Sequence, residues 1–218
     1  MQQTQVRTTQ LGSTGLEITP VGLGAWAIGG GDWEFGWGPQ VTEHSIEAIH
    51  RALDLGVNWI DTAAAYGFGR SERVVGQALE GRRDRPYLFT KASLVEGPGR
   101  RVVHDLTRES IRREVGSSLE RLGVDAIDLY QIHWPIPDED IEGGWSTLAE
   151  LKEEGLVRHI GVSNFSVEQL KRIQAIAPVE TLQPEYSLVS PETAEEILPF
   201  AERQGIGVIV YSPMGPVS

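Results

Sequence analysis

The chain has 218 residues, of which 31 are acidic and 19 basic, with a formal net charge of −12 and no cysteine. This length suits one domain with a sizeable core, and we predict a single domain over residues 1–218. The acidic balance argues against nucleic acid as a partner, because binding to phosphates requires a basic face. The arginines at 82–85 and 100–101 lie in predicted loops and are interpreted as solvated surface. Lack of cysteine removes thiolate chemistry, and no apolar run reaches the roughly 18 residues of a membrane span. Composition therefore predicts a soluble, cytoplasmic protein that binds neither nucleic acid nor membrane.

The chain begins with a small β element. Residues that favour strands alternate around Gly-Ser-Thr-Gly within residues 7–19, which predicts a hairpin before the main fold. A buried strand is predicted over residues 21–26, and a loop rich in glycine and tryptophan follows it. A first helix is predicted over residues 43–55, because Thr42 can cap its start and its apolar residues share one face.

Strands and helices then alternate without interruption. Further strands are predicted over residues 58–62, 87–90, 127–132, 159–163, 181–186 and 207–212, and further helices over residues 71–79, 108–122, 144–154, 166–176 and from residue 190. Ser166 and Gln169 have the spacing of a capping box, and Pro191 suits the first turn of the last helix. Strands that alternate with helices indicate a parallel sheet in an α/β fold.

The seven predicted strands do not complete a closed barrel. A (β/α)8 barrel has eight parallel strands and typically about 250 residues. We therefore expect a (β/α)8 TIM-type barrel with an N-terminal β-hairpin that lacks the eighth strand and the C-terminal segment. The alternative is an open sheet, whose edge strands have unpaired backbone groups that another segment must cover.

Four ionisable side chains follow three of the predicted strands. Asp61 lies near the end of the first of these strands, and Tyr66 lies in the glycine-flanked loop after it. Lys91 follows the next strand, and His133 follows the one after that. Because the carboxyl ends of adjacent parallel strands share one rim, we expect these side chains to converge on one pocket.

This set of groups suits the reduction of a carbonyl by hydride transfer. The carbonyl oxygen needs a proton donor, and a tyrosine can serve if its pKa, about 10 in water, is brought nearer the working pH. A neighbouring ammonium would do this by favouring the phenolate, and Lys91 is the residue expected to supply it. Asp61 would pair with the lysine and orient it, and His133 would hydrogen-bond the carbonyl oxygen.

Two other kinds of site are weaker interpretations. Residues 22–27 match the G-x-G-x-x-A pattern of dinucleotide-binding folds, but the glycines lie inside the predicted strand and a long loop follows instead of a helix. The five histidines are scattered, and no spacing typical of a zinc site occurs, so we predict no metal.

Several segments, in order along the chain, carry a resemblance to a known family. They are Leu11-Gly12-Ser13-Thr14-Gly15-Leu16, Asn58-Trp59-Ile60-Asp61-Thr62-Ala63, Tyr66-Gly67, Ser71-Glu72, Thr90-Lys91, Asp128-Leu129-Tyr130-Gln131-Ile132-His133-Trp134, Ile160-Gly161-Val162-Ser163-Asn164-Phe165, Gln183, Glu185-Tyr186-Ser187 and Tyr211-Ser212-Pro213. The sequence resembles the aldo-keto reductase family across nearly its whole length. The resemblance implies an NADPH-dependent reductase of aldehydes or ketones on a (β/α)8 barrel, with Tyr66 as general acid and Asp61, Lys91 and His133 as its partners.

The resemblance also implies a set of cofactor contacts. Those expected at the nicotinamide are Ser163 and Asn164 at its carboxamide, Gln183 nearby and Tyr211 stacked on the ring. Those expected along the rest of the cofactor site are Gly24, Ala25, Trp26, Asp61, Ser212, Pro213 and Met214, of which the last three follow the pyrophosphate. The family normally holds the adenosine 2′-phosphate with an eighth strand and a short helix that we do not find in this sequence. NADPH is therefore predicted from the resemblance, and NADH is not excluded.

Aromatic residues dominate the predicted rim loops. Trp26, Trp33, Trp37 and Trp134 would form a pocket wall suited to apolar or aromatic aldehydes and ketones. Two other functions stay open: a nucleotide-binding regulatory or scaffold subunit with little turnover, which the resemblance to channel-associated family members implies, and an inactive fragment. The complete set of four catalytic candidates favours the enzyme.

Overall fold

A computed structural model describes residues 6–215. The strands are β1 (Thr9–Gln10), β2 (Glu17–Ile18), β3 (Leu23–Gly24), β4 (Trp59–Asp61), β5 (Tyr87–Ala92), β6 (Leu94–Glu96), β7 (Val102–His104), β8 (Ile127–Ile132), β9 (Val157–Ser163), β10 (Thr181–Gln183) and β11 (Gly207–Val208). The helices are α1 (Thr42–Asp54), α2 (Arg70–Leu79), α3 (Arg108–Leu122), α4 (Ile141–Glu153), α5 (Val167–Gln174) and α6 (Ile197–Gln204). Short 3₁₀ turns lie at Ala27–Gly29, Pro98–Arg100, Asp138–Asp140 and Glu192–Ala194. None of the helices in this part of the chain is both long and apolar enough to cross a membrane.

Seven parallel strands form the central sheet, as the sequence predicts. Their order is β11-β10-β9-β8-β5-β4-β3, and each strand is hydrogen-bonded in parallel to the next. The sheet curls into a half-barrel with β3 and β11 at its two edges. The carboxyl ends of its strands share one rim, so the residues that follow Asp61, Ala92 and Ile132 are brought near one another.

The two faces of the sheet bury different sets of residues. The outer face packs against the helices through a large apolar cluster that includes Ile60, Tyr130 and Val162. The inner face carries a smaller apolar cluster of Leu11, Leu16, Ile18, Trp59, Phe89, Leu129 and Ile209. The first three of these belong to the N-terminal hairpin, in which β1 pairs with β2. Because Trp59 begins β4, the hairpin covers the end of the half-barrel opposite the carboxyl rim.

Local signals fix two helix starts where the sequence predicts them. α3 starts after Thr107, whose hydroxyl oxygen accepts a hydrogen bond from the Ser110 amide, and it ends at Gly123, whose φ of 66° suits glycine. α5 begins with the predicted capping box, in which the side chains of Ser166 and Gln169 each accept a hydrogen bond from the other residue's amide. These bonds join chain neighbours, which is why the sequence predicts them.

Other helix and strand boundaries differ from the predicted ones, because residues near them contact distant segments of the chain. Thr42 is the first residue of α1 and not its cap, and its hydroxyl oxygen accepts a hydrogen bond from Arg70 instead. The last helix starts at Ile197 and not at residue 190, because a 3₁₀ turn precedes it in which the Thr193 hydroxyl donates to the Glu185 carbonyl. The edge strand β3 is also shorter than the predicted strand.

An antiparallel hairpin that the sequence analysis does not predict follows β5. β6 pairs with β7, with Leu94 opposite His104 and Glu96 opposite Val102. The φ angles of Gly99 and Arg100 at its tip are 70° and 60°. The hairpin leaves the sheet shortly after Lys91, so it stands beside the site described below.

One carboxyl group is buried between α3 and the end of β5. Glu114 is 7% exposed, and its oxygens accept hydrogen bonds from the Ser93 amide and the Ser110 hydroxyl. Burial raises the pKa of Glu114 to about 8, because these hydrogen bonds replace only part of the hydration of the charged form. This carboxyl group is therefore protonated in the folded chain near neutral pH.

Glu114→Gln should change how stability depends on pH. In the folded chain the carboxyl group titrates near pH 8, whereas its ordinary pKa is 4.5. Between these values the folded state binds the additional proton, so wild-type stability falls as the pH rises, by up to about 1.4 kcal/mol per pH unit from this group. Relative to wild type, Glu114→Gln should therefore gain stability from about pH 5 to about pH 8, measured by urea unfolding.

Glu109→Gln, at an exposed position of the same helix, is the matched control for this experiment. It should follow the wild-type pH profile. If Glu114→Gln also follows that profile, the pKa of Glu114 is not raised.

Candidate active site

Neighbouring strands bring polar side chains to the inner face of the half-barrel at its carboxyl rim. Asp61 in β4 and Lys91 in β5 each lie two residues beyond a member of the inner apolar cluster. Because side chains alternate between the faces of a strand, both point to that inner face. His133 follows β8, and its amide continues the ladder by donating to the Ala92 carbonyl at 3.0 Å. The predicted convergence of these side chains on one rim is therefore found.

Lys91 is the centre of the site. Its ammonium lies 2.7 Å from an Asp61 carboxylate oxygen, 3.0 Å from the Thr62 carbonyl and 3.5 Å from the Tyr66 hydroxyl. The lysine side chain is 1% exposed. Burial lowers the pKa of Lys91, but Asp61 and Tyr66 outweigh that effect and raise the pKa above its usual value. Lys91 is therefore a buried cation directed at the phenol.

The Tyr66 phenol is protonated in this environment. Burial raises its pKa, Lys91 lowers it and Asp61 raises it, and the balance lies above the usual value of 10. The expectation that the ammonium brings the phenol pKa down toward the working pH is therefore wrong as a net effect. Lys91 acts in the expected direction, but burial outweighs it.

His133 lies beside Tyr66, with the ring centroids 5.7 Å apart and the ring planes at 76°. Burial, together with the charge of Lys91, holds the pKa of His133 well below its usual value. The imidazole is therefore neutral and carries a single N–H, which can donate one hydrogen bond to a carbonyl oxygen. Its Nδ1 atom is buried and has no hydrogen-bond partner among residues 6–215.

Four residues on the neighbouring strands form one hydrogen-bonded group. The Ser163 hydroxyl donates to the Gln183 carbonyl at 2.6 Å. The Asn164 side-chain nitrogen donates to the Ser163 hydroxyl and to the His133 carbonyl, at 3.0 Å in each case. The Tyr211 hydroxyl donates to the Asn164 side-chain oxygen at 2.7 Å. The structure thus gathers the four residues predicted at the nicotinamide and joins them to the segment that carries His133.

At the edge strand β3, the predicted contacts Gly24 and Ala25 differ in what they offer a ligand. Gly24 pairs with Asp61, and a side chain at Gly24 would meet nothing within 4 Å, so the space above it is open. The contact at Ala25 stays a prediction, and its methyl group lies in the outer core. Its amide donates to the Asp61 carbonyl, and its own carbonyl accepts from the Ser71 hydroxyl.

The segment 212–214 continues from Tyr211 at the opposite edge of the sheet. Ser212 has a positive φ of 51°, and Met214 is 95% exposed. The residues around the rim fit a nicotinamide: side-chain amides and a hydroxyl suit its carboxamide, Tyr211 offers an aromatic face, and the open space above Gly24 leaves room for a ring.

Tryptophans surround one side of the tyrosine. Trp33 is 8% exposed, and its ring centroid lies 6.1 Å from that of Tyr66. Trp26 and Trp37 form an edge-on pair with centroids 5.0 Å apart, and Trp134 is 38% exposed. Of the four predicted wall residues, Trp33 is thus the one seen against the tyrosine, and the others are partly open to solvent.

The β6–β7 hairpin, which no local sequence pattern predicts, adds contacts beside the site. Arg100 lies over the Phe68 ring, 5.3 Å from its centroid, and donates to the Asp32 carbonyl, while the Val102 amide donates to Glu34 at 2.8 Å. A cavity of about 750 Å³ at this junction is lined by Asp32, Trp33, Glu34, Gly99, Arg100 and Arg101. Arg100 is exposed, as the sequence predicts, with 50% of its side chain accessible, but its contact with the loop at Asp32 is not predicted. No local pattern could have revealed it, because its partner Asp32 is 68 residues away.

Within the part of the chain that the structure describes, no three His, Asp or Glu side chains are arranged to hold a metal ion.

Comparison with known proteins identifies the family. The model of the aldo/keto reductase family matches residues 20–216. The chain belongs to the aldo/keto reductase family. It is 44% identical over 208 residues to the aldo-keto reductase YhdN of Bacillus subtilis, covering 94% of this chain and 61% of that protein. It is 38% identical over 218 residues to an NADH-specific methylglyoxal reductase of Escherichia coli, covering 94% of this chain and 66% of that protein. The chain thus spans less than two thirds of the length of these relatives.

Solved structures of family members share the fold. A glycerol dehydrogenase from Gluconobacter oxydans superposes with a TM-score of 0.86 and 37% identity, covering 96% of this chain and 63% of that one. An aldo-keto reductase from Klebsiella pneumoniae in complex with NADPH gives a TM-score of 0.79 and 28% identity, covering 96% and 69%. The predicted fold class, a TIM-type barrel of this family seen here as a seven-stranded half-barrel, is confirmed.

Lys91→Met should raise the pKa of Tyr66 further. The ammonium is the group that lowers this pKa, while burial and Asp61 raise it, so its removal leaves only the raising effects. The pKa can be followed by the ultraviolet absorbance of phenolate, with Tyr66→Phe as the reference for the remaining tyrosines. The control is Lys171→Met. Lys171 lies on α5, over the ring of Phe200 on α6, and its substitution should leave the titration of Tyr66 unchanged. A lower Tyr66 pKa in Lys91→Met would contradict the assigned electrostatics.

Proposed function

We propose that the protein reduces aldehydes or ketones to alcohols with NADPH, with Tyr66 as the general acid. The observation that supports this most directly is the position of the Lys91 ammonium, 2.7 Å from Asp61 and 3.5 Å from the Tyr66 hydroxyl. A buried cation beside a neutral phenol favours loss of the phenol proton when a substrate oxygen becomes basic.

When bound, a nicotinamide cofactor would supply the hydride that the carbonyl carbon needs. Tyr66 is protonated before the reaction, so its hydroxyl can give a proton to the carbonyl oxygen as negative charge develops there. Lys91 then stabilises the phenolate that forms, and Asp61 keeps the lysine charged despite its burial. The neutral His133 adds a hydrogen bond to the same carbonyl oxygen.

The same geometry supports the proposed cofactor contacts. Ser163, Asn164 and Gln183 would hold the nicotinamide carboxamide, and Tyr211 would stack on the ring. The Tyr211 hydroxyl donates to the Asn164 oxygen, which leaves that oxygen a second lone pair for a carboxamide N–H. Gly24, Trp26 and Asp61 would border the ring, and the segment 212–214 would follow the pyrophosphate.

NADPH is the proposed cofactor, and NADH is the alternative. A family member bound to NADPH supports the first, and the NADH-specific relative from E. coli supports the second. Initial rates with the two cofactors at equal concentration separate them. Faster oxidation of NADPH is expected, and faster oxidation of NADH would reject this part of the proposal.

The proposed substrates are apolar or aromatic aldehydes and ketones of small size. Trp33 packs against Tyr66, while Trp26, Trp37 and Trp134 would complete the wall of the pocket. We further propose that residues 1–218 form one domain. The shared sheet and the continuous outer core of the described residues support this.

Tyr66→Phe should lower turnover of an aromatic aldehyde by about 10²-fold or more, because general acid catalysis commonly contributes 10²–10⁴. The measurement is steady-state NADPH oxidation, with circular dichroism to verify the fold. Tyr87→Phe is the matched control, because Tyr87 packs against the apolar cluster at the opposite end of the half-barrel. Turnover in Tyr66→Phe equal to that of Tyr87→Phe would remove Tyr66 from the mechanism. Tight NADPH binding without turnover in wild type would instead favour a nucleotide-binding regulatory subunit.

A further inference from the structure

The inner face of the sheet carries a buried carboxamide that the contacts described so far do not use. Gln131 on β8 is 0% exposed, and neither its oxygen nor its nitrogen has a hydrogen-bond partner among residues 6–215. A buried amide without partners destabilises a fold, and most such groups in proteins are hydrogen-bonded to protein or to ordered water. Gln131 therefore needs a partner that the described side chains do not provide.

Gln131 faces the inside of the half-barrel. Its neighbours Tyr130 and Ile132 belong to the outer apolar cluster, while Leu129 belongs to the inner one. Because side chains alternate along a strand, Gln131 points to the same side as Leu129. It stands in register with Lys91 on β5, which places it next to the proposed catalytic groups.

Gly161 lies between Gln131 and Thr181 and has no side chain to separate them. Gly161 on β9 pairs with Gln131 on one side and with Thr181 on the other. Thr181 is 0% exposed, and its hydroxyl also lacks a partner among the described residues. This hydroxyl leans over the glycine, since a Cβ atom on Gly161 would come within 1.9 Å of it. The Thr181 hydroxyl thus occupies the space above Gly161, and a water held between this hydroxyl and the Gln131 carboxamide would have two polar partners.

His133 is the third residue here with a buried atom that lacks a partner in the described part of the chain. It lies two residues after Gln131 along the same extended chain, so the two side chains share the inner face and their Cα atoms are about 6.6 Å apart. The Nδ1 atom of His133 is buried and unpartnered within residues 6–215. One water between the two side chains can reach both with ordinary hydrogen bonds of about 2.8 Å.

We propose that Gln131, assisted by Thr181, holds an internal water that donates a hydrogen bond to Nδ1 of His133. The Gln131 amide donates to this water, whose own two hydrogens serve Nδ1 and the Thr181 hydroxyl oxygen. Nδ1 is then the unprotonated nitrogen, and the proton of the neutral ring lies on Nε2. Gln131 is thus a positioning residue that fixes which nitrogen of His133 donates to a substrate oxygen. Only the effect on turnover rests on the proposed function, because the tautomer is a property of the free chain.

Two other groups lie close enough to His133 to lower its pKa, and either could be considered as the partner of its Nδ1 atom in place of Gln131. Lys91 and His104 both affect its titration. The Lys91 ammonium directs its hydrogen bonds to Asp61, Thr62 and Tyr66, so none is left for Nδ1. His104, on β7, has a buried Nδ1 that also lacks a partner among residues 6–215. It is therefore the competing candidate for orienting His133.

The test reads the tautomer of His133 from ¹H–¹⁵N NMR correlations of the imidazole in the free chain near neutral pH. Wild type should show the Nε2–H form. Gln131→Met keeps the volume of the side chain without its polar atoms, and should shift the tautomer ratio about fivefold toward Nδ1–H, the equivalent of one ordinary hydrogen bond. Thr181→Val should shift it in the same direction by a smaller factor, and serves if Gln131→Met does not fold.

Two further variants are controls. Ser118 on α3 is also 0% exposed and its hydroxyl is also unpartnered within the described residues, but it lies outside the half-barrel. Ser118→Ala should leave the tautomer unchanged. His104→Asn should leave it unchanged as well. A wild-type ring protonated at Nδ1, an unchanged ratio in the folded Gln131→Met and Thr181→Val variants, or a shift in His104→Asn in place of Gln131→Met overturns the proposal.

Turnover gives an independent measurement. With an aromatic aldehyde and NADPH, Gln131→Met should lower kcat in proportion to the lost fraction of the Nε2–H form, by at most about fivefold, and leave the KM for NADPH unchanged. A shifted tautomer with no turnover even in wild type would reject the proposed reductase and leave the role of Gln131 intact. A shifted tautomer with wild-type kcat would overturn the link between Gln131 and catalysis.

Discussion

The buried ammonium of Lys91 is the constraint on which the site depends. An ammonium with 1% of its side chain exposed cannot stay charged without compensation, because burial favours the neutral amine. Asp61 provides the compensation at 2.7 Å, and the Thr62 carbonyl adds a second acceptor. The third N–H of the ammonium is then directed at the Tyr66 hydroxyl. One ion pair thus fixes the relative positions of two strands and of the loop that carries the tyrosine.

Burial of the site leaves three neighbouring side chains in different protonation states. It keeps the Tyr66 phenol protonated and the His133 imidazole neutral, because in both cases it opposes the charged form. Lys91 alone stays charged, since Asp61 lies within hydrogen-bond distance. A cation, a neutral acid and a neutral donor therefore meet in one place. In water near neutral pH the lysine would also be charged and the phenol neutral, but part of the imidazole would be protonated. What the rim adds is that it holds the three groups in contact and keeps the imidazole neutral.

The inner face of the sheet is apolar near the amino ends of its strands and polar near the carboxyl rim. Near the amino ends of the strands, the N-terminal hairpin and apolar side chains such as Trp59 and Phe89 fill the interior. Nearer the carboxyl rim the inner face is polar, with Lys91, Gln131 and Thr181 all buried. Several of these polar atoms lack protein partners within the described residues, which costs stability. The apolar half and the large outer cluster offset that cost and hold the polar half in place.

The sequence by itself determined the order of the seven parallel strands and six helices and the capping box at Ser166 and Gln169, because these follow from local periodicity and short-range bonds. For the same reason it placed the four polar side chains at or just after strand ends. Only the tertiary structure decided the protonation of Tyr66, since burial is a property of the packed interior and here outweighs the nearby ammonium. It also decided that Arg100 lies on Phe68, and that Gln131 lies beside Lys91 with no hydrogen-bond partner among residues 6–215. These features depend on contacts between segments far apart in the chain, and no local pattern of residues encodes them.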